Sequence, residues 1–258
     1  MTPRVVLVTG GTRGIGLATA QAFARAGDQV VVTHAWGSAA DDEIARAFRD
    51  ALLPPLVIQA DVGSASDLDE LMAALEARFD GVDVFVSNAS MGNLPASFDD
   101  YDERALLQSI GYGAWPLVGH LQALRRTFGR LPRYAIAMSS DGADHFSHRY
   151  DFVAASKAVL ETLVRYLTYQ LRDEDIRVNA VRSRSVRTAT FEMTFGPRVD
   201  SVAERYGSPS LFVTPEEVGG AAFALASGLM DAVAGQVLTI DRGTAFSDNL
   251  LRIYERHR

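Results

Sequence analysis

The sequence predicts an α/β protein, a doubly wound parallel sheet flanked by helices, and three observations predict it. Short apolar runs of strand length alternate with longer segments whose apolar residues recur every three or four positions. A glycine-rich bend, Thr9 to Gly16, joins the first such strand to the first helix. The chain has 258 residues, 48% of them hydrophobic, enough for one sizeable core, and no repeat, linker or composition shift calls for a second. A single domain over residues 1–258 is expected.

The elements follow in order. Val5–Val8 reads as a strand, Gly14–Ala26 as a helix and Gln29–Thr33 as a second strand, which makes a β-α-β unit. Leu56–Ile58 gives a third strand. Leu68, Leu71, Met72, Leu75 and Phe79 form the apolar face of a helix over Asp67–Phe79, with Ser66 and Asp69 expected to cap it. The strand Val82–Val86 comes next. Gly111, Gly113 and Pro116 interrupt the helical stretch Tyr101–Phe128, which should bend or divide near its middle. Tyr134–Met138 is a strand, Ser139–Arg149 a polar loop, Phe152–Leu171 a long helix and Ile176–Val181 a further strand. Thr214-Pro215-Glu216-Glu217 opens a helix to Ala226, and Gly235–Ile240 supplies the last strand.

Composition excludes several functions. With 25 Lys and Arg against 32 Asp and Glu, the net charge of −7 repels nucleic acid and anionic membranes. No cysteine is present, so disulfides and thiolate chemistry are ruled out. His145 and His148 share a loop without a third clustered ligand, and no metal is expected. The first residues lack a signal-peptide pattern and no 18-residue apolar run offers a membrane span, so a soluble cytoplasmic protein is expected.

The bend carries the sharpest signal. In Thr9-Gly10-Gly11-Thr12-Arg13-Gly14-Ile15-Gly16 the glycines follow a strand and open a helix, where a pyrophosphate can approach backbone amides and the helix terminus. Gly10, Gly14 and Gly16 resemble the glycine signature of the short-chain dehydrogenase/reductase family. The resemblance implies a Rossmann-type fold and a nicotinamide dinucleotide cofactor held by Gly10, Thr12, Arg13, Gly14, Ile15 and Gly16. It implies further contacts from Asp61 and Val62 on the adenine side, from Asn88 and Ala89 after the fourth strand, and from Thr188 toward the carboxamide. The stretch Thr33-His34-Ala35-Trp36 has no carboxylate to receive the ribose hydroxyls of NAD. NADPH is therefore the expected cofactor, with Arg13 and His34 as candidates for the extra phosphate and NADH as the alternative.

Tyr150 and Lys157 are separated by six residues, about two helical turns, which returns both to one face. The family places its tyrosine four residues before the lysine, but that position here is Val153, which has no transferable proton. The run Tyr150 to Lys157 resembles the divergent enoyl-acyl carrier protein reductases of bacterial fatty-acid synthesis. That resemblance assigns Tyr150 to the substrate oxygen and Lys157 to the nicotinamide ribose and to lowering the tyrosine pKa; the wider family's interval of seventeen residues before the lysine assigns Ser140, with Ser139 as the adjacent alternative, to orienting the substrate. Ser109 stands where the family has an asparagine, and Ser183-Arg184 where it has proline and glycine. From Arg177 to Arg198 the arginines Arg177, Arg182, Arg184, Arg187 and Arg198 stand against one acid, Glu192, which suits the phosphate of a phosphopantetheine arm or an acidic carrier-protein surface, or else salt bridges between subunits or plain solvation. A small substrate lid is expected over 188–213, with Met193, Phe195 and Phe212 lining it or packed as core.

The expected function is NADPH-dependent reduction of an enoyl thioester. Its alternatives are a ketoreductase tailoring a polyketide or other secondary metabolite, and a non-catalytic NADP-binding sensor. The implied partners are a small-molecule or thioester-linked substrate, an acyl carrier protein, and further copies of the chain in a homotetramer or homodimer.

Overall fold

Seven parallel strands make one sheet: β1 (Val5–Val8), β2 (Gln29–His34), β3 (Leu56–Gln59), β4 (Val84–Ser87), β5 (Tyr134–Ser140), β6 (Arg177–Ser183) and β7 (Val237–Ile240), in the order β3-β2-β1-β4-β5-β6-β7. The computed structural model describes residues 3–36, 40–188, 191 and 212–246. The chain winds outward from β1 in both directions, so the carboxyl ends of β1 and β4 flank the point where strand order reverses, and a crevice opens there. The fold is the expected single-domain Rossmann-type α/β architecture.

Helices cover both faces. Along each strand alternate side chains point to opposite layers. Val6, Val8, Val84 and Val86 pack with α1 (Gly14–Arg25), α2 (Asp41–Ala47) and α7 (Pro215–Leu225). Leu7, Phe85 and Ala135 pack with α3 (Ala65–Glu76), α5 (Trp115–Phe128) and α6 (Asp151–Gln170). Helix α4 (Glu103–Gly113) lies against α6.

Three local outcomes differ from, or complete, the sequence reading. Helix α3 starts two residues early: Ser64, not Ser66, accepts the Asp67 amide and donates to the Asp67 carboxylate at 2.6 Å. Helix α2 was not foreseen; Glu43 reaches back to the Ala40 amide at 3.2 Å, and Ile44 and Phe48 are buried. The Tyr101–Phe128 stretch divides at Ala114, with Pro116 in the first turn of α5, where its missing N–H costs nothing.

Candidate active site and cofactor cleft

The crevice at the switch point is a cleft of about 440 Å³ lined by the ends of β1, β2 and β4 and the start of α1. Gly10, Thr12, Arg13, Gly14, Ile15, Gly16, His34, Asp61, Val62, Asn88, Ala89 and Thr188 all line it. Each was named from sequence, and one cleft gathers them. Lys157, also named for the cofactor, is not among its lining residues.

Local conformation explains the glycine turn. Gly14 has φ +56°, a left-handed backbone that a side chain would strain. At Gly16 a Cβ would sit 2.2 Å from the Gly10 carbonyl oxygen, so helix and turn meet backbone to backbone. Arg13, at the N-cap of α1, gives no side-chain cap, leaving the first-turn amides for an anion. The turn is tied to β4 by Asn88, whose side-chain amide donates to the Thr9 and Gly10 carbonyls at 2.9 and 3.1 Å. Asn88, named from sequence as a cofactor contact, thus braces the cradle with its side-chain amide.

On the opposite wall the Asp61 carboxylate accepts the Gly63 amide at 2.8 Å and the Tyr112 hydroxyl at 3.1 Å. Tyr112, Trp36, Ser90 and Met91 also line the cleft and were not anticipated. Tyr112 had a signal: it lies one turn after Ser109 on α4, and Gly63 leaves room for its ring. The buried Nδ1 of His34 has no hydrogen-bond partner among the described residues. An uncapped helix start, a cradle closed to side chains and this unpaired nitrogen fit a dinucleotide with its phosphates on α1.

Beyond the cleft, β5 delivers Ser139 and Ser140 side by side, and their roles separate. Ser139 is buried and donates to Glu161 at 2.7 Å, whereas Ser140 caps the short 3₁₀ turn Asp141–Ala143 and lies near enough to Tyr150 to act on its phenol. Tyr150 is the N-cap residue of α6, and its carbonyl accepts the Ala154 amide at 2.7 Å. Its ring lies over Gly142, where a Cβ would come within 2.6 Å of it. Burial pushes the phenol pKa up; the Ser140 hydroxyl works against this and the Asp141 charge adds to it. Val153 is buried against Gly92, so the position four before the lysine is packing.

Lys157 sits in the second turn of α6, 6% exposed, and its Nζ donates to the Met138 carbonyl at 2.9 Å. Burial lowers its pKa to about 8, with Glu161 acting in the opposite direction. Ser109 is fully buried; its hydroxyl donates to Ala105 O at 2.8 Å and accepts the Asn93 amide, so it anchors a loop.

The described arginines of the arginine-rich stretch, Arg177, Arg182, Arg184 and Arg187, are engaged by neighbouring side chains. Arg177 pairs with Asp175 and Asp231, Arg182 with Glu161 and Asp144, and Arg184 with Asp141 at 3.2 Å. Arg187 stacks on Phe212 at 4.9 Å. Arg198, Met193, Phe195 and most of the expected lid lie outside the described residues. Among the described residues no group of three His, Cys, Asp or Glu is placed to hold a metal, and no helix is long and apolar enough to cross a membrane.

Comparison with known proteins agrees with this geometry. A family model described as Enoyl-(Acyl carrier protein) reductase matches residues 10–245. The chain is 29% identical to 3beta-hydroxysteroid dehydrogenase 1 of Eggerthella lenta, over 93% of each chain. It is 33% identical to the short chain dehydrogenase/reductase AacuN of Aspergillus aculeatus, over 73% of this chain and 71% of that one. A crystal structure of a putative gluconate dehydrogenase from Agrobacterium tumefaciens superposes with a TM-score of 0.81 at 20% identity, over 95% of this chain and 97% of that one, a likeness of fold. The chain belongs to the short-chain dehydrogenase/reductase family and is an NAD(P)H-dependent oxidoreductase of that type.

Proposed function

We propose that the protein reduces the C=C bond of an enoyl thioester with NADPH, using Tyr150, Ser140 and Lys157. The observation that carries this reading is that Tyr150 and Ser140 are neighbours at the entrance of α6, with a buried amine seven positions along the same helix. The description of the matching family model favours the enoyl substrate.

A nicotinamide dinucleotide, when bound, supplies the hydride. Gly10, Thr12 and Gly14 to Gly16 hold its phosphates, and Asp61 and Val62 flank its adenine side. Arg13, exposed at the turn, and His34 recognise the extra phosphate of NADPH, since Thr33 to Ser38 at the end of β2 contain no carboxylate to repel it. Tyr150 keeps its proton at neutral pH because burial raises its pKa, so it donates a hydrogen bond to the substrate oxygen as negative charge develops there. Ser140, beside the phenol, supplies a second donor to the same oxygen. Lys157, its ammonium held on the Met138 carbonyl, supplies the positive charge for the nicotinamide ribose.

Lysine's place in the composition supports a working role. Lys157 is the only lysine in the chain, against 24 arginines. A chain that uses arginine for every other such cation carries a compact, titratable ammonium at one buried position. An acyl carrier protein as thioester donor, a lid over 188–213 and a homotetramer or homodimer belong to the same reading.

A second reading, reduction of a ketone, is favoured by the resemblance to a hydroxysteroid dehydrogenase. NADPH consumption with product mass analysis over matched enoyl- and β-ketoacyl thioesters and polycyclic ketones separates the two. The expected result is a saturated thioester, with Tyr150→Phe at least ~100-fold slower. Turnover of ketones alone overturns the enoyl assignment, and an unchanged rate in Tyr150→Phe overturns the role of Tyr150. Binding of NADPH without turnover of any substrate favours the sensor.

A further inference from the structure

One buried acid plays no part in that mechanism. Glu161 is 3% exposed and lies one turn after Lys157, so the two share a face of α6. Its carboxylate accepts the Ser139 hydroxyl at 2.7 Å and Arg182 Nε at 2.8 Å, with Arg182 Nη2 on the second oxygen. Arg182 continues to Asp144, in the segment between β5 and α6. One carboxylate therefore joins α6, β5, β6 and the segment that leads to Tyr150.

We infer that Glu161 is a positioning residue that keeps Lys157 charged, its negative charge offsetting the burial of the ammonium, while Arg182 governs how much of that charge Lys157 feels. The inference rests on the reading of Lys157 as a working member of the site.

The surroundings single out Glu161. The hydrogen bond from Lys157 goes to a neutral carbonyl, which does not replace the hydration a buried ammonium loses. From the segment before α6, Asp141 is paired with Arg184 and Asp144 with Arg182, His145 lies beside Asp141, and Tyr150 is a neutral phenol at neutral pH. From α4, Glu103 and Arg104 are exposed and Tyr112 is bonded to Asp61; from α5, His120 is bonded to the Pro116 carbonyl. Arg165, one turn further along α6, is 4.0 Å from Glu161 and largely exposed. Glu161 is the neighbouring charge that favours the protonated amine, against the burial that brings Lys157 to about 8.

The composition permits a direct test. Because Lys157 is the only lysine, protein made with lysine carrying ¹³C at the ε-carbon gives one ε signal whose titration needs no assignment. The midpoint is expected near 8 in the parent. Glu161→Gln should lower it by about one unit, a tenfold larger dissociation constant; Arg182→Gln should raise it, and Glu161→Asp should keep it near the parent value. A brace without electrostatic effect predicts lower melting temperatures for Glu161→Gln and Arg182→Gln with an unmoved Lys157 midpoint, and that result overturns the inference. Should Glu161→Gln fail to fold, the upward shift in Arg182→Gln decides alone. Addition of NADP⁺ separates this inference from the reading beneath it. Midpoints that move between variants without any response of the signal to NADP⁺ refute the site assignment of Lys157 and not the coupling to Glu161. A signal that responds to NADP⁺ but titrates alike in all variants refutes the coupling alone.

Discussion

Gly16 lies so close to the Gly10 carbonyl that the smallest side chain has nowhere to go, since a Cβ would also come within 2.5 Å of Asn88 Nδ2. The first of these neighbours is backbone and cannot rotate away. Gly16→Ala should therefore lower stability by about 2 kcal/mol and weaken NADP⁺ binding at least ~10-fold, read from thermal unfolding with and without NADP⁺. At this scale the cradle was legible, because Gly10 and Gly14 are required by their own left-handed backbone, φ +64° and +56°, and Gly16 by a carbonyl six residues away. Tyr112 and Glu161 were not. Tyr112 meets Asp61 across 51 residues and Glu161 meets Arg182 across 21, and such distances leave no local pattern. Spacing from Lys157 favours Ser140 and leaves the adjacent Ser139 as an alternative; the strand's alternation separates them, turning Ser139 inward to Glu161.

Helix α7 owes its start to Thr214, whose hydroxyl accepts the Glu217 amide at 3.3 Å while the Glu217 carboxylate accepts the Thr214 amide at 2.8 Å. Thr214→Ala should cost about 1 kcal/mol, measured by chemical denaturation, because one of these two bonds is lost at a helix that packs on α1. That start was readable from four residues. The start of α3 was misplaced because Ser64 and Ser66 each stand three residues before an acid, and only the fold selects Asp67 as the partner. Helix α2 escaped notice because it is only seven residues long; its Ile44 and Phe48 face the core as a helix would require.

Among the polar groups buried in the two layers around the sheet, one makes the whole molecule sensitive to acid. His120, on α5, stacks on Phe85 at 5.2 Å and is bonded to the Pro116 carbonyl at 2.9 Å. Burial lowers its pKa from 6.5 to about 4. Above pH 6.5 the imidazole is neutral folded or unfolded and contributes nothing to the pH dependence. Between 6.5 and about 4 only the unfolded chain takes up the proton, so stability falls with pH, by about 3 kcal/mol over the window. Chemical denaturation across that range should show the loss, and His120→Gln should flatten it. An unchanged slope in the variant would assign the acid sensitivity to other groups.

The lone lysine also bears on how the chain meets a protease. An endoproteinase that cuts only after lysine has a single target bond, Lys157–Ala158, inside a 20-residue helix and with its lysine side chain held under β5. No surface loop offers it a second site, so cleavage should wait for α6 to come away from the sheet, and one cut into two fragments should appear at the rate set by that opening. NADP⁺ should slow the cut in proportion to its occupancy. Cleavage that proceeds at the same speed with and without NADP⁺ would mean that the helix opens while the cleft stays intact.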